Sequence, residues 1–186
     1  MTNGDGLTRT VTRAVRTSLP EATVDAVEPA GPTWNQTTRV ARVTLTDGEA
    51  VYCKVTPDDP DGAELRGEAA AVRYAAANTP VTVPTVLAVT TDPVPALVTE
   101  PVAGTPVDEE WFDAAPERRE TLARRLGRSL ASVHARRFDR PGEIVGGDGD
   151  GLVVEHAPWP DVLEQAARHA STPATTGSRC STGETA

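Results

Sequence analysis

Two short runs with alternating apolar residues, Arg39 to Leu45 and Ala50 to Val55, flank the turn sequence Thr46-Asp47-Gly48. Nothing else in the chain constrains its fold as tightly. Side chains alternate along a strand, so Ala41, Val43 and Leu45 share one face of the first run. In the second run, Val51, Cys53 and Val55 point one way, and Ala50, Tyr52 and Lys54 the other. Asp-Gly between them closes an antiparallel hairpin. Pro57-Asp58-Asp59-Pro60-Asp61-Gly62 then ends the strand character, and the period changes. Leu65, Ala69, Val72 and Ala76 recur at helical spacing, which predicts a helix over about Ala63 to Ala77.

Around this hairpin and helix the remaining signals fall into order. Leu7, Val11, Ala14, Val15 and Leu19 make a helical stripe ended by Pro20. A strand-like run, Thr23 to Val27, leads to a turn-rich link at Pro29-Ala30-Gly31-Pro32. Val83 to Val89 and Ala96 to Thr99 read as two more strands, joined by a turn at Thr91-Asp92-Pro93. After the break at Gly104-Thr105-Pro106 the pattern becomes helical. Glu117 to Arg137 carries Leu122, Leu126, Leu130 and Val133 on one side. A glycine/aspartate loop, Gly146 to Gly151, precedes Leu152-Val153-Val154 and a shorter helix near Asp161 to His169. In the last sixteen residues, Ser171 to Ala186, thirteen are Ser, Thr, Pro, Ala or Gly. Such a segment buries too little apolar surface to offset its ordering entropy, and disorder is expected there.

Composition excludes several classes of partner. The net charge of −9 leaves no basic stripe to neutralise a nucleic-acid backbone. No apolar run approaches the roughly 18 residues that span a bilayer, and no secretory leader is evident at Met1-Thr2-Asn3-Gly4-Asp5. Acid excess and scarce lysine suit a salt-adapted, cytoplasmic protein. Cys53 and Cys180 are no disulfide framework, and Cys53 is expected to pack as a small hydrophobe.

Among eighteen basic residues only one is lysine, Lys54. A compact ammonium on a flexible stem offers a point charge to a phosphate held under a loop, whereas arginine presents a planar fork. A lysine in that role needs a carboxylate to steer it, and the helix that follows offers Glu64 and Glu68. Glu68 falls about 70° from the centre of the apolar stripe and Glu64 roughly 110°, so Glu68 is the better partner. Upstream, Gly31 to Thr38 joins two strands and offers backbone N–H groups. Downstream, Leu97 to Gly104 runs from an apolar strand into a glycine break.

Other features have simpler readings. His134 sits at the edge of an apolar helical face and reads as a packed or capping histidine. Asp148-Gly149-Asp150-Gly151 lacks the later ligands of a calcium loop and reads as an acidic turn. Trp111, Phe112 and Trp159 read as core anchors. The paired arginines at 118–119, 124–125 and 136–137 form a solvated charged face.

The order of loop, strand, turn, lysine-bearing strand, glutamate-bearing helix, two strands, hinge and helix resembles the aminoglycoside phosphotransferase family. The resemblance rests on Asn35-Gln36-Thr37-Thr38-Arg39-Val40, Tyr52-Cys53-Lys54-Val55 and Arg66-Gly67-Glu68-Ala69-Ala70-Ala71-Val72. It continues in Val83-Pro84-Thr85-Val86-Leu87, in Thr99 to Pro106 and in Leu126 to His134, covering about residues 20 to 165. It implies an α+β, protein-kinase-like fold with an antiparallel N-terminal lobe over residues 1–103. The start of a helical lobe would follow over 104–170, and the tail over 171–186. ATP is the implied cofactor, with Mg2+ beside it, and the acceptor is an unidentified small-molecule hydroxyl. By position, Lys54 would contact the α- and β-phosphates and Glu68 would hold it. Gly31 and Asn35 would lie in the nucleotide loop. Glu100 and Val102 would bond adenine through the main chain, with Tyr52 near the roof of the pocket.

Two positions depart from the family pattern, with Pro32 where a second glycine is common and a bulky Tyr52. A larger departure follows. The family's catalytic loop begins His-x-Asp, and a further Asp binds magnesium. The three histidines here precede Ala135-Arg136, Ala157-Pro158 and Ala170-Ser171. The expectation is therefore an incomplete kinase, with a nucleotide-site lobe but no catalytic Asp or metal ligands, the tail reading as truncated or out of frame. A non-catalytic nucleotide-binding or interaction module, or a non-functional remnant, are the alternatives.

Overall fold

The computed structural model describes residues 3–30 and 38–170. Its core is a five-stranded antiparallel sheet in the order β1-β2-β3-β5-β4, comprising β1 (Val24–Pro29), β2 (Arg39–Leu45), β3 (Ala50–Val55), β4 (Val86–Thr90) and β5 (Ala96–Thr99). The β2–β3 hairpin pairs Val43 with Val51, Ala41 with Cys53 and Val40 with Lys54. Its bounds are those expected from alternation. Gly48 turns it with a left-handed φ of 88°, a conformation glycine takes without steric cost.

Alternation gives the sheet two different faces. Val43, Val51, Cys53, Val55 and Val98 point to one side and are buried against Val11, Ala14 and Val15 of α1 (Asn3–Ser18). Burial pushes the Cys53 thiol up to about 12, so it stays protonated and behaves as a small apolar group. Leu97 points to the other side, where Leu65 and Ala69 of α2 (Ala63–Asn78) cover it together with Val86 and Val89. The sheet is thus covered by one helix on each face.

The start of α2 is fixed by the break before it. Gly62 takes a left-handed φ of 63°, and Asp59 Oδ2 accepts the N–H of Glu64 at 3.1 Å, satisfying a donor of the first turn. At the other end Thr79 Oγ1 donates to the carbonyl of Ala75 at 2.7 Å.

A second sheet is a hairpin of β6 (Gly142–Gly147) and β7 (Leu152–His156). Neither strand was assigned from the sequence, where only the glycine/aspartate loop and the apolar run Leu152-Val153-Val154 were marked. The turn between them is closed by Asp148, whose Oδ1 accepts the N–H groups of Asp150 and Gly151. β6 lies directly on α2, so closely that a Cβ at Gly67 would sit 2.1 Å from the carbonyl oxygen of Ile144. Asn78 Nδ2 adds a tie by donating to the carbonyl of Gly149 at 2.9 Å.

The remaining helices are α3 (Val107–Trp111), α4 (Pro116–His134) and α5 (Trp159–Ala170). The expected stripe of α4 is present, but only Leu122 is buried; Leu126 is 57% exposed, and Leu130 and Val133 are also exposed. The core-anchor reading of Phe112 and Trp159 is corrected: they are 78% and 58% exposed. α5, which begins at Trp159, packs on β6. The strand expected from Val83 begins only at Val86, because Pro84 lacks the N–H that pairing requires. The tail from Ser171 lies outside the described residues, as does the disorder expected of it.

Candidate functional site

Two local rules bring Lys54 and Glu68 together. The period of two along β3 sends Lys54 to the α2 side of the sheet, and the helical period sends Glu68 back towards it. Lys54 Nζ donates to Glu68 Oε2 in an ion pair. The side chains are 24% and 37% exposed, so the pair is partly open to solvent. An ion pair this open contributes about 1 kcal/mol or less to stability. Its geometry matters more than its energy, because it fixes where the lone ammonium points. Glu64 is exposed, with its own side chain free of any described ion pair.

Tyr52 lies on the same face, two residues before Lys54, between Arg42 of β2 and Thr99 of β5. β5 ends at Thr99, and Glu100 to Val102 continue beyond the sheet without regular structure. The N–H of Glu100 donates to the carbonyl of Thr85 at 2.9 Å. That bond anchors the connecting segment and commits the Glu100 N–H, leaving its carbonyl free of any bond within the described main chain. Val102 is 46% exposed and likewise has no main-chain partner there. Lys54, Glu68 and Tyr52 therefore share one side of the sheet, with Glu100 and Val102 following from the strand beside them. Gly31 and Asn35 lie outside the described residues.

Among the described residues no three His, Cys, Asp or Glu side chains gather as a metal site. Asp148 is engaged by the amides of its own turn, in keeping with an acidic loop. Among the described residues no helix is long and apolar enough to cross a membrane. His134 is exposed at the end of α4 rather than packed. The arginines of α4 are mostly exposed, but several are occupied. Arg118 grips both carboxylate oxygens of Glu110, and Arg119 donates to the carbonyls of Trp111 and Phe112 at 2.9 and 2.7 Å.

Sequence reasoning passed over Gly67 as anything beyond part of a motif, although the lack of a side chain there lets the Ile144 carbonyl of β6 approach α2. It also passed over Arg66 and Arg73, which line a cleft between α2, β4 and β6. The missing signal was Glu143-Ile144-Val145 ahead of a Gly/Asp turn and Leu152-Val153-Val154, two apolar runs flanking turn residues.

Comparison with known proteins agrees with the order of elements. The sequence matches the phosphotransferase enzyme family, APH, over residues 31–176, which is most of the chain. The chain belongs to that family, and its mixed α+β architecture with an antiparallel sheet is the one expected of it. Among solved structures it is similar to a provisionally assigned fructosamine-3-kinase from Thermobifida fusca, at 23% identity and a TM-score of 0.47. The match covers 88% of this chain and 56% of that one, so the chain spans little more than half of its structural relative. No curated protein matches.

Proposed function

We propose that the chain holds the triphosphate of ATP on Lys54, as the nucleotide-binding part of a cytoplasmic small-molecule phosphotransferase. The observation that carries this reading is the pairing of the chain's one lysine with Glu68 across the β3–α2 junction. Lys54 supplies a point charge to the α- and β-phosphates, and Glu68 holds its stem in place. The carbonyl of Glu100 and the N–H of Val102 offer an acceptor and a donor to the adenine edge. Tyr52 closes that pocket from the sheet, and Gly31 and Asn35 belong to the loop over the phosphates. ATP would supply the transferable phosphoryl group to a small-molecule hydroxyl.

In this reading residues 1–103 form the nucleotide lobe and 104–170 begin the helical one. The sequence holds no His-x-Asp, so no proton-transfer step is assigned to its residues. A second reading is a module that binds nucleotide without catalysing transfer.

Thermal unfolding with and without ATP tests the site, because a ligand that binds only the folded chain raises its stability. ATP at a hundred times its Kd should stabilise by about 2.7 kcal/mol, and Lys54→Ala should remove most of that. Stabilisation that survives intact in Lys54→Ala would sink the assignment. Phosphorylation of an added hydroxyl compound in the presence of Mg2+ separates the two readings.

A further inference from the structure

On the flank of α2 away from the Lys54–Glu68 pair, a cleft of about 580 Å³ opens between α2, β4 and β6. Its volume falls in the range of about 300–1,000 Å³ occupied by small-molecule sites. Arg66 and Arg73 both line it, and none of its lining residues is acidic, in a chain whose net charge is −9. They stand seven residues apart on one helix, so they project within roughly 20° of one another and about 10 Å apart along the axis. Glu68 projects roughly 140–160° away from them, which separates this cleft from the Lys54 side.

The state of the two guanidinium groups is informative. Arg73 makes no hydrogen bond or ion pair among the described residues. Arg66 uses one amino group, Nη1, on the carbonyl of Asp61, which holds the side chain in place and leaves other donors. Gly146 borders the cleft with open space where a side chain would stand. Thr91 adds a hydroxyl at the β4 end, while Ala69 and Val89 make the floor apolar. Two forked cations above an apolar floor suit a small organic molecule with an oxyanion head, since guanidinium pairs with phosphate or carboxylate in bidentate fashion.

We propose that this cleft binds a small organic oxyanion, a phosphomonoester or a carboxylate, between Arg66 and Arg73. It is a site separate from the nucleotide site and does not depend on it.

The test is thermal unfolding of the full chain titrated with phenyl phosphate, benzoate and inorganic phosphate, with sodium chloride at matched ionic strength. One or both aromatic anions should raise the melting temperature saturably beyond the salt control, and the stronger one identifies the preferred head group. Loss of one charge-assisted contact should weaken that binding about tenfold or more in Arg73→Ala. Arg73→Glu should abolish it, and Lys54→Ala should leave it unchanged. Arg73 is exposed and alanine is a good helix former, so the variant retains its fold. No stabilisation beyond the salt control overturns the proposal. So does an effect that persists in Arg73→Ala or disappears in Lys54→Ala, the latter placing the anion on the nucleotide side.

Discussion

Helices α2 and α4 both announce themselves by apolar residues at helical spacing, yet only one of them is packed. Leu65 and Ala69 of α2 are sealed against Leu97 of the sheet, whereas Leu126, Leu130 and Val133 of α4 stand open to solvent. The stripe with the larger side chains is the uncovered one. Small residues explain the contrast: Gly67, Ala69 and Ala70 let β5 on one side and β6 on the other approach the backbone of α2. α4 is instead tied at its N-terminal end to α3, by Arg118 on Glu110 and Arg119 on the carbonyls that close α3. Periodicity thus shows that a face can be covered. Whether it is covered depends on what else the fold brings near.

Truncation at matched positions should break the symmetry most visibly. Leu65→Ala empties a fully buried position and should cost about 2–5 kcal/mol, as transfer and cavity terms add. Leu126→Ala removes the same atoms from a largely exposed position and should change stability by no more than about 0.5 kcal/mol. Urea unfolding of both variants measures the difference. Similar losses for the two would mean that α4 is covered in solution, contrary to the packing described above.

Glycine substitution sharpens the comparison because its sign should reverse. A methyl at Gly67 meets the Ile144 carbonyl, main chain that cannot turn aside, so the hairpin must move away from α2. Gly67→Ala should cost roughly 1–3 kcal/mol even after the gain in helix propensity. At Gly127 a Cβ meets nothing within 4 Å. Gly127→Ala in α4 should stabilise by up to about 1 kcal/mol through backbone entropy alone. A stabilising Gly67→Ala would show that the α2–β6 contact is looser than the structure has it.

What could be read in advance follows the same division. The β2–β3 hairpin was legible to the residue because its turn chemistry and alternation are local. The approach of Glu68 to Lys54 was legible for a related reason: one period sets the lysine's direction and another sets the glutamate's. The docking of β6 on α2 was not legible. It depends on Gly67 and Ile144, residues far apart in sequence, and the glycines at 146 and 147 weaken the strand signal of β6 itself. The Arg66–Arg73 cleft exists only because of that docking, so no local pattern marks it. Pro84 could have been read better, since a proline early in Val83 to Val89 already argues for a later strand start.

The smallest expected effect concerns the polar attachment of α4. The hydrogen bonds from Arg118 hold the Glu110 carboxyl below its ordinary value of 4.5, and the same pairing raises Arg118. A depressed carboxylate contributes stability that is present above pH 4.5 and is lost as the pH falls through its lower folded value. Acidification below 4.5 should therefore loosen α3 from α4, while the sheet, held to α1 and α2 mainly by apolar packing, keeps its core contacts. Solvent screens this exposed pair, so the change should appear in local amide exchange around Glu110 and Arg118 rather than in the global melting temperature. Glu110→Gln should reproduce it at neutral pH. Exchange that rises equally in β3 and β5 would mean that α4 and the sheet unfold as one unit, and the contrast between the two helices would then be one of exposure alone.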